Sequence, residues 1–220
     1  MHRVSALFKV IIKLQMKYWH WFIQGVLRTA AWILTKFFYR VEIRGRENLE
    51  KISPPVIIAS NHKTLFDGFL ILIALPWFSR FLPGRYMTEE MQFKARALQF
   101  LADIKLLKFF YILTGGFPSK RGMGIEAAIG IPLKILEKGG VVLMFPEGEL
   151  IRGDNLGVFY NGTVMLAVKS GAPILPFFIK IERKKIIVTI GEIFKLNTSN
   201  FEEGTAFLKA KIENLRTRLT

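Results

Sequence analysis

The sequence predicts an α/β fold: a largely parallel central sheet covered by helices, preceded by an N-terminal amphipathic two-helix segment. Three observations predict it. From residue 41 onward, short apolar runs rich in Val and Ile alternate with longer helical stretches. Gly and Pro punctuate the boundaries between them. Residues 1–40 follow a different pattern, apolar at helical spacing with basic residues on another face.

In the first segment Val4, Leu7, Phe8, Ile11 and Leu14 recur at helical spacing, while Lys9, Lys13 and Lys17 form a ladder elsewhere. In the second, Trp19, Phe22, Ile23, Val26, Leu27, Ala30, Ile33, Leu34 and Phe37 share one stripe, with His20, Gln24, Arg28 and Thr35 opposite. No uncharged run reaches the roughly 18–20 residues of a bilayer span. Two helices lying in a membrane interface, anchored by Trp, Tyr and Lys, therefore fit better than a crossing. The alternative is a helical pair packed on the protein's own core. Residues 1–40 are one unit and 41–220 the domain that follows.

Within that domain, 39–45 ("YRVEIRG") and 54–60 ("PPVIIAS") are strands. Residues 68–77 are a buried helix by position, 90–110 are helical, and 125–139 form a helix that stops at Gly139-Gly140. A strand at 140–148 runs into a loop; 161–171 is a helix, 172–181 and 185–194 are strands, and 201–218 is a last amphipathic helix.

Lys and Arg outnumber Asp and Glu by 32 to 17 in 220 residues, a net charge of +15 that favours a polyanionic partner. With 51% hydrophobic residues, 20 Phe and 4 Trp, and no zinc-finger spacing or RNA-binding run, the expected partner is a membrane phospholipid surface and not nucleic acid. The chain has no cysteine, which excludes disulfides, thiolate metal sites and a cysteine nucleophile. Lysines interrupt the N-terminal apolar region and no small-residue cleavage site follows, so the expected location is the cytosolic face of the membrane.

Chemistry concentrates in three places. The strand 54–60 runs into "SNHKTLFD". Five helical residues turn about 500°, so His62 and Asp67 cannot meet on one uninterrupted helix. They can meet if His62 lies in the turn after the strand and Asp67 in the first turn of the next helix. Asp67 would then fix the imidazole tautomer and leave the other nitrogen as a general base. The other reading is a helix capped by Asn61 or Thr64 beside an incidental histidine. "GGFPSKRG" (115–122) offers Lys120 and Arg121 on a turn, either as a phosphate site or as solvated surface. "FPEGELIRG" (145–153) places Glu147 and Gly148 where a strand breaks, either to orient a substrate or as an ordinary turn. "GMGIEA" superficially matches a dinucleotide fingerprint, but no apolar strand precedes it and it is discarded.

Taken in order, these blocks resemble those of the glycerolipid acyltransferases that act on 1-acylglycerol 3-phosphate. Asn61, His62 and Asp67 match N-H-x4-D; Gly115, Phe117, Pro118 and Arg121 match the second block; Phe145, Pro146, Glu147 and Gly148 match the third; Pro173 and Pro176 match the fourth. The resemblance covers about residues 41–195. It implies acyl transfer from coenzyme A or acyl carrier protein to the free hydroxyl of 1-acylglycerol 3-phosphate, a lysophospholipid, making phosphatidic acid. His62 and Asp67 would be catalytic; Asn61, Lys120, Arg121, Glu147, Gly148 and Arg152 would bind substrate. No metal or resident cofactor is implied. The wall for the acyl chain would come from residues 68–82 and 98–113, which are otherwise plain core. One departure stands out: the family's Thr-Arg after Pro-Glu-Gly is here Glu149-Leu150, and the next arginine is Arg152. Either Arg152 serves from a shifted position, or the acceptor is less strictly phosphorylated, which keeps glycerol 3-phosphate and other lysophospholipids open. An inactive membrane-bound lipid-binding scaffold is the reading from a different class.

Overall fold

Seven strands among the described residues form one sheet: β1 Arg40–Arg44, β2 Val56–Ser60, β3 Gly84–Thr88, β4 Gly116–Pro118, β5 Val141–Met144, β6 Ile174–Glu182 and β7 Lys185–Ile190. Their order is β1-β7-β6-β2-β5-β3-β4. The computed structural model describes residues 2–50, 52–76, 79–88, 106–118, 124–153 and 155–218, without the side chains of 2–18 and 106–108. Every pairing is parallel except the β6–β7 hairpin, which reverses β7 and its parallel partner β1.

The central strands β2 ("VIIAS") and β5 ("VVLM") are buried along their whole length, as expected when helices cover both faces of a parallel sheet. Period-two alternation sorts their side chains into two cores. Val56, Ile58, Val141, Leu143, Leu175 and Phe177 point to one side, against α2 (Asp67–Ala74) and the partly buried Trp32 of α1 (His2–Phe38). Ile57, Ala59, Val142, Met144, Ile174 and Phe178 point to the other, against α4 (Ile125–Glu137), α5 (Gly162–Ser170) and α6 (Phe201–Thr217). A short helix α3 (Leu106–Leu113) precedes β4. Asn200 caps α6 by accepting hydrogen bonds from the amides of Glu202 and Glu203.

Two strands were absent from the sequence reading. Gly84–Thr88 mixes Gly, Arg and Thr with Tyr and Met and shows no apolar run; Gly116–Pro118 is three residues long inside a glycine pair and a Phe-Pro turn. The expected helix at 90–110 lies within the described residues only from 106, where α3 begins.

The N-terminal expectation of two helices is corrected to one. α1 is continuous over 37 residues, about 55 Å, because neither Gly nor Pro interrupts it near Tyr18. The polar face opposite the apolar stripe is the one that docks. His20 Nε2 donates to the Ile112 carbonyl (2.9 Å). Gln24 Nε2 donates to the carbonyls of Gly84 and Thr114 (2.6 Å each), and its Oε1 accepts the Gly84 amide (3.0 Å). Arg28 donates to the carbonyls of Pro76 (2.7 Å) and Leu75, where α2 ends. A cation there complements both the orphan carbonyls and the dipole of α2. Gly115 has to be glycine: its φ is +95°, and a Cβ would lie 2.7 Å from Gln24 Nε2. Trp19, Phe22, Val26, Ile33, Leu34 and Phe37 are left exposed.

Candidate active site

The adjacent parallel strands β2 and β5 end side by side, with Ala59 opposite Met144. Three residues beyond each lie His62 and Glu147, so the register brings the two loops together where open α/β sheets hold ligands. Glu147 is buried, and both its oxygens are engaged. Oε2 accepts the His62 amide (2.6 Å) and Oε1 the Gly157 amide (2.7 Å). Gly148, at φ +65°, turns the chain after it.

Asn61 is equally enclosed. Its Nδ2 donates to the Ile179 carbonyl (2.9 Å) and its Oδ1 accepts the Ile179 amide (2.7 Å). The side chain thus pairs with β6 as a peptide group would, while the main chain leaves the sheet and lifts His62 above it.

His62 sits in the turn and Asp67 is the first residue of α2. Their side chains meet, Nδ1 to Oδ2, at 2.9 Å. Asp67 is fully buried, and its carboxylate also accepts the amides of Lys63 and Thr64 and the Thr64 hydroxyl. A carboxylate that already accepts these donors faces His62 as an acceptor and so pairs with an Nδ1–H on the ring. The imidazole stacks on Phe145, centroids 4.2 Å apart and planes 16° apart, so its orientation is held from two sides. Its side chain is 21% exposed and lines a cavity of about 370 Å³.

The walls of that cavity are chiefly apolar. Leu65, Gly68, Phe69 and Leu72 come from the turn and α2, Tyr111 and Thr114 from α3 and its end, and Leu150 from the loop after β5. Tyr86 to Thr88 of β3 complete it, and these residues escaped sequence reading with their strand. Gln24 is their second-line support, since it holds Gly84 at the start of that strand. The Tyr86 hydroxyl pairs with that of Thr114, and burial pushes its pKa up to about 12, so it stays protonated. Arg85 donates Nε–H to the Gly115 carbonyl (2.7 Å), and burial lowers its pKa.

Of the expected phosphate contacts, Lys120 and Arg121 lie outside the described residues. Arg152 is exposed and does not line this cavity. Its loop is pinned by Lys63, whose Nζ donates to the carbonyls of Gly153 (2.7 Å) and Asn155 (2.9 Å).

A family model described as Acyltransferase matches residues 40–180. A 1-acyl-sn-glycerol-3-phosphate acyltransferase from Pseudomonas aeruginosa is 29% identical over 156 residues, covering 70% of this chain and 55% of that protein. A chloroplastic protein of the same description from Brassica napus is 26% identical over 142 residues, 63% of this chain and 37% of its own length. The chain therefore spans between about a third and just over half of these relatives. The crystal structure of the 1-acyl-sn-glycerophosphate acyltransferase PlsC from Thermotoga maritima shares the fold. The two match with a TM-score of 0.63 at 19% identity, over 100% of this chain and 99% of that one.

Proposed function

Because this chain belongs to the acyltransferase family, we propose that it transfers a fatty acyl group from an acyl thioester to the free hydroxyl of 1-acylglycerol 3-phosphate, yielding phosphatidic acid. The observation that carries the reading is His62 bonded through Nδ1 to the buried carboxylate of Asp67, at the mouth of an apolar cavity.

In this reading the second ring nitrogen, Nε2, accepts the proton of the acceptor hydroxyl as its oxygen attacks the thioester carbonyl carbon. The C–O bond forms, the carbonyl electrons move onto oxygen, and their return expels the thiolate. The imidazolium then returns its proton to that thiolate, so ester and thiol leave and the enzyme is regenerated. No protein nucleophile is needed, which suits a chain without cysteine. The cavity beside His62 receives the acyl chain. Asn61 and Glu147 hold the turn that carries His62, through backbone hydrogen bonds, and are positioning residues. Arg121, with Lys120 and Arg152, holds the acceptor phosphate. Leu150 lines the cavity where the family carries arginine, and this favours trial of glycerol 3-phosphate and other lysophospholipids as second acceptors.

The exposed aromatic and aliphatic residues of α1, on a chain of net charge +15, support docking on an anionic phospholipid surface at the cytosolic face. Among the described residues no helix is long and apolar enough to cross a membrane.

The test is thiol release from palmitoyl-coenzyme A, with and without 1-acylglycerol 3-phosphate, for wild type and His62→Ala. Acceptor-dependent release that vanishes in the variant supports the reading. A folded, vesicle-bound protein that releases no thiol with any acceptor, from coenzyme A or carrier protein, overturns it in favour of a lipid-binding scaffold.

A further inference from the structure

The loop that follows β5 folds back onto the turn that carries His62, and three hydrogen bonds join the two. The Ile151 amide donates to the His62 carbonyl (2.9 Å). Lys63 Nζ donates to the carbonyls of Gly153 (2.7 Å) and Asn155 (2.9 Å). At the base of the loop the Gly157 amide donates to Glu147 Oε1 (2.7 Å) and the Tyr160 amide to the Pro146 carbonyl (2.9 Å).

Lys63 connects two parts of the site. Its main chain belongs to the His62–Asp67 turn, because its amide donates to the Asp67 carboxylate. Its side chain leaves that turn and ends on the loop. Holding a lysine tip costs rotamer entropy, so an Nζ with two main-chain acceptors is a defined contact and not a solvated end. Lys63 does not line the His62 cavity; its tip is engaged by the loop instead.

What the loop carries shows what this strut serves. Leu150 lines the cavity where the family carries arginine, and the next arginine is Arg152, which is exposed. The residue before it, Ile151, is bonded to His62, and the residue after it, Gly153, is bonded to Lys63. A Cβ at Gly157 would lie 2.6 Å from Ile151 Cδ1, so the Ile151 side chain also packs tightly against the loop's own return. The main chain at residue 152 is thus fixed from both sides relative to the imidazole. A guanidinium hung from a fixed point has less freedom to lose on pairing with an anion than one on a free loop.

The geometry points to Lys63 as a positioning residue: it ties the loop to the catalytic turn and so presents Arg152 to the phosphate of the acceptor. Lys63 itself touches no substrate. The assignment rests on the acyl-transfer reading above, in which Arg152 belongs to the phosphate site. It gives an arginine displaced by two residues a fixed base from which to serve.

Limited trypsin digestion of the full chain in detergent tests the strut without requiring turnover. Cleavage after Arg152, read by mass spectrometry, should be about tenfold faster in Lys63→Met than in wild type, and Lys63→Arg should restore the slow rate. In turnover, Lys63→Met should raise the KM for 1-acylglycerol 3-phosphate about five- to tenfold, with kcat and the KM for palmitoyl-coenzyme A within about twofold of wild type. Arg152→Gln should do the same. The double variant should be no worse than either single one, since both act through one guanidinium. Lys63→Gln, shorter but still a donor, gives the same readings in weaker form and replaces a Lys63→Met that does not fold. Unchanged cleavage in Lys63→Met overturns the strut. Faster cleavage with an unchanged acceptor KM overturns the link to Arg152. Effects on KM that multiply in the double variant overturn it too, and make Lys63 a direct contact. Faster cleavage in Lys63→Met, in a protein that transfers no acyl group from any donor, overturns the acyl-transfer reading and leaves the strut standing.

Discussion

Glu147 Oε2 accepts the backbone amide of His62 at 2.6 Å, across two strands that are adjacent in the sheet and 85 residues apart in the chain. A carboxylate that receives two backbone amides is a scaffold for whatever rides on the loop. Glu147→Gln keeps one acceptor oxygen but turns an NH2 toward the other amide. The expected result is a fall in kcat of about 10- to 100-fold, little change in acceptor KM, and a lower melting temperature. Steady-state kinetics and calorimetry on the same preparation check it, since a direct acceptor contact would move KM instead.

Asp67→Asn replaces a carboxylate oxygen that accepts from His62 Nδ1 and turns an NH2 toward amide donors. The expected loss in kcat is on the order of 10³-fold or more. The Nδ1 and Nε2 shifts of His62 in nitrogen NMR should exchange character. An unchanged tautomer with full activity would contradict the assigned roles.

The pairing of His62 with Asp67 was legible in the sequence because both ends are local: a strand that stops, a turn, and a helix that starts. The work of Glu147 and Asn61 was not. Their partners, the His62 and Gly157 amides and the Ile179 backbone, are set by register between strands far apart in the chain. The same holds for β3. Its five residues carry no apolar period of their own and are held by a helix some 60 residues upstream. In α1 the helical period was visible, but which face docks was not. Hydropathy assigns polar side chains to water, whereas here they find backbone groups left open at the ends of other elements.

Gln24→Leu tests that docking. It leaves the amide and carbonyl of Gly84 and the carbonyl of Thr114 without their partner. Each buried group left so costs on the order of 1–3 kcal/mol. The melting temperature should drop by several degrees or more, and limited proteolysis should open the chain near residues 39–45. Gln24→Glu should be similarly harmful, since two of the three bonds require a donor.

Acid should loosen the same contact. Burial, then the Arg85 charge, hold the His20 imidazole below its ordinary range, against a smaller raising effect of its hydrogen bond to Ile112. The folded value lies below the unfolded one, so the unfolded chain binds more protons in acid. The stabilisation is complete above about pH 6.5 and is lost as pH falls below it. Melting curves between pH 7.5 and 5.5 should show a downward shift that His20→Asn reduces.

The outer face of α1 gives a complementary prediction. Trp19→Ser, Phe22→Ser and Phe37→Ser together should lower binding to anionic phosphatidylglycerol vesicles at least tenfold, with the melting temperature in detergent-free buffer unchanged or raised. Co-sedimentation measures the first and calorimetry the second. A triple variant that unfolds would show that these residues serve the domain itself.

The docking of α1 through His20, Gln24 and Arg28 also separates two kinds of sequence freedom. Under the proposed membrane docking, substitutions on the exposed outward stripe change what the protein adheres to without disturbing its interior. The three inward positions tolerate little, since each reads main-chain atoms that no side-chain change elsewhere can move. Related chains adapted to bilayers of different charge or thickness are therefore expected to diverge on one side of this helix and to agree on the other. An engineer could redesign its affinity for a surface one face at a time.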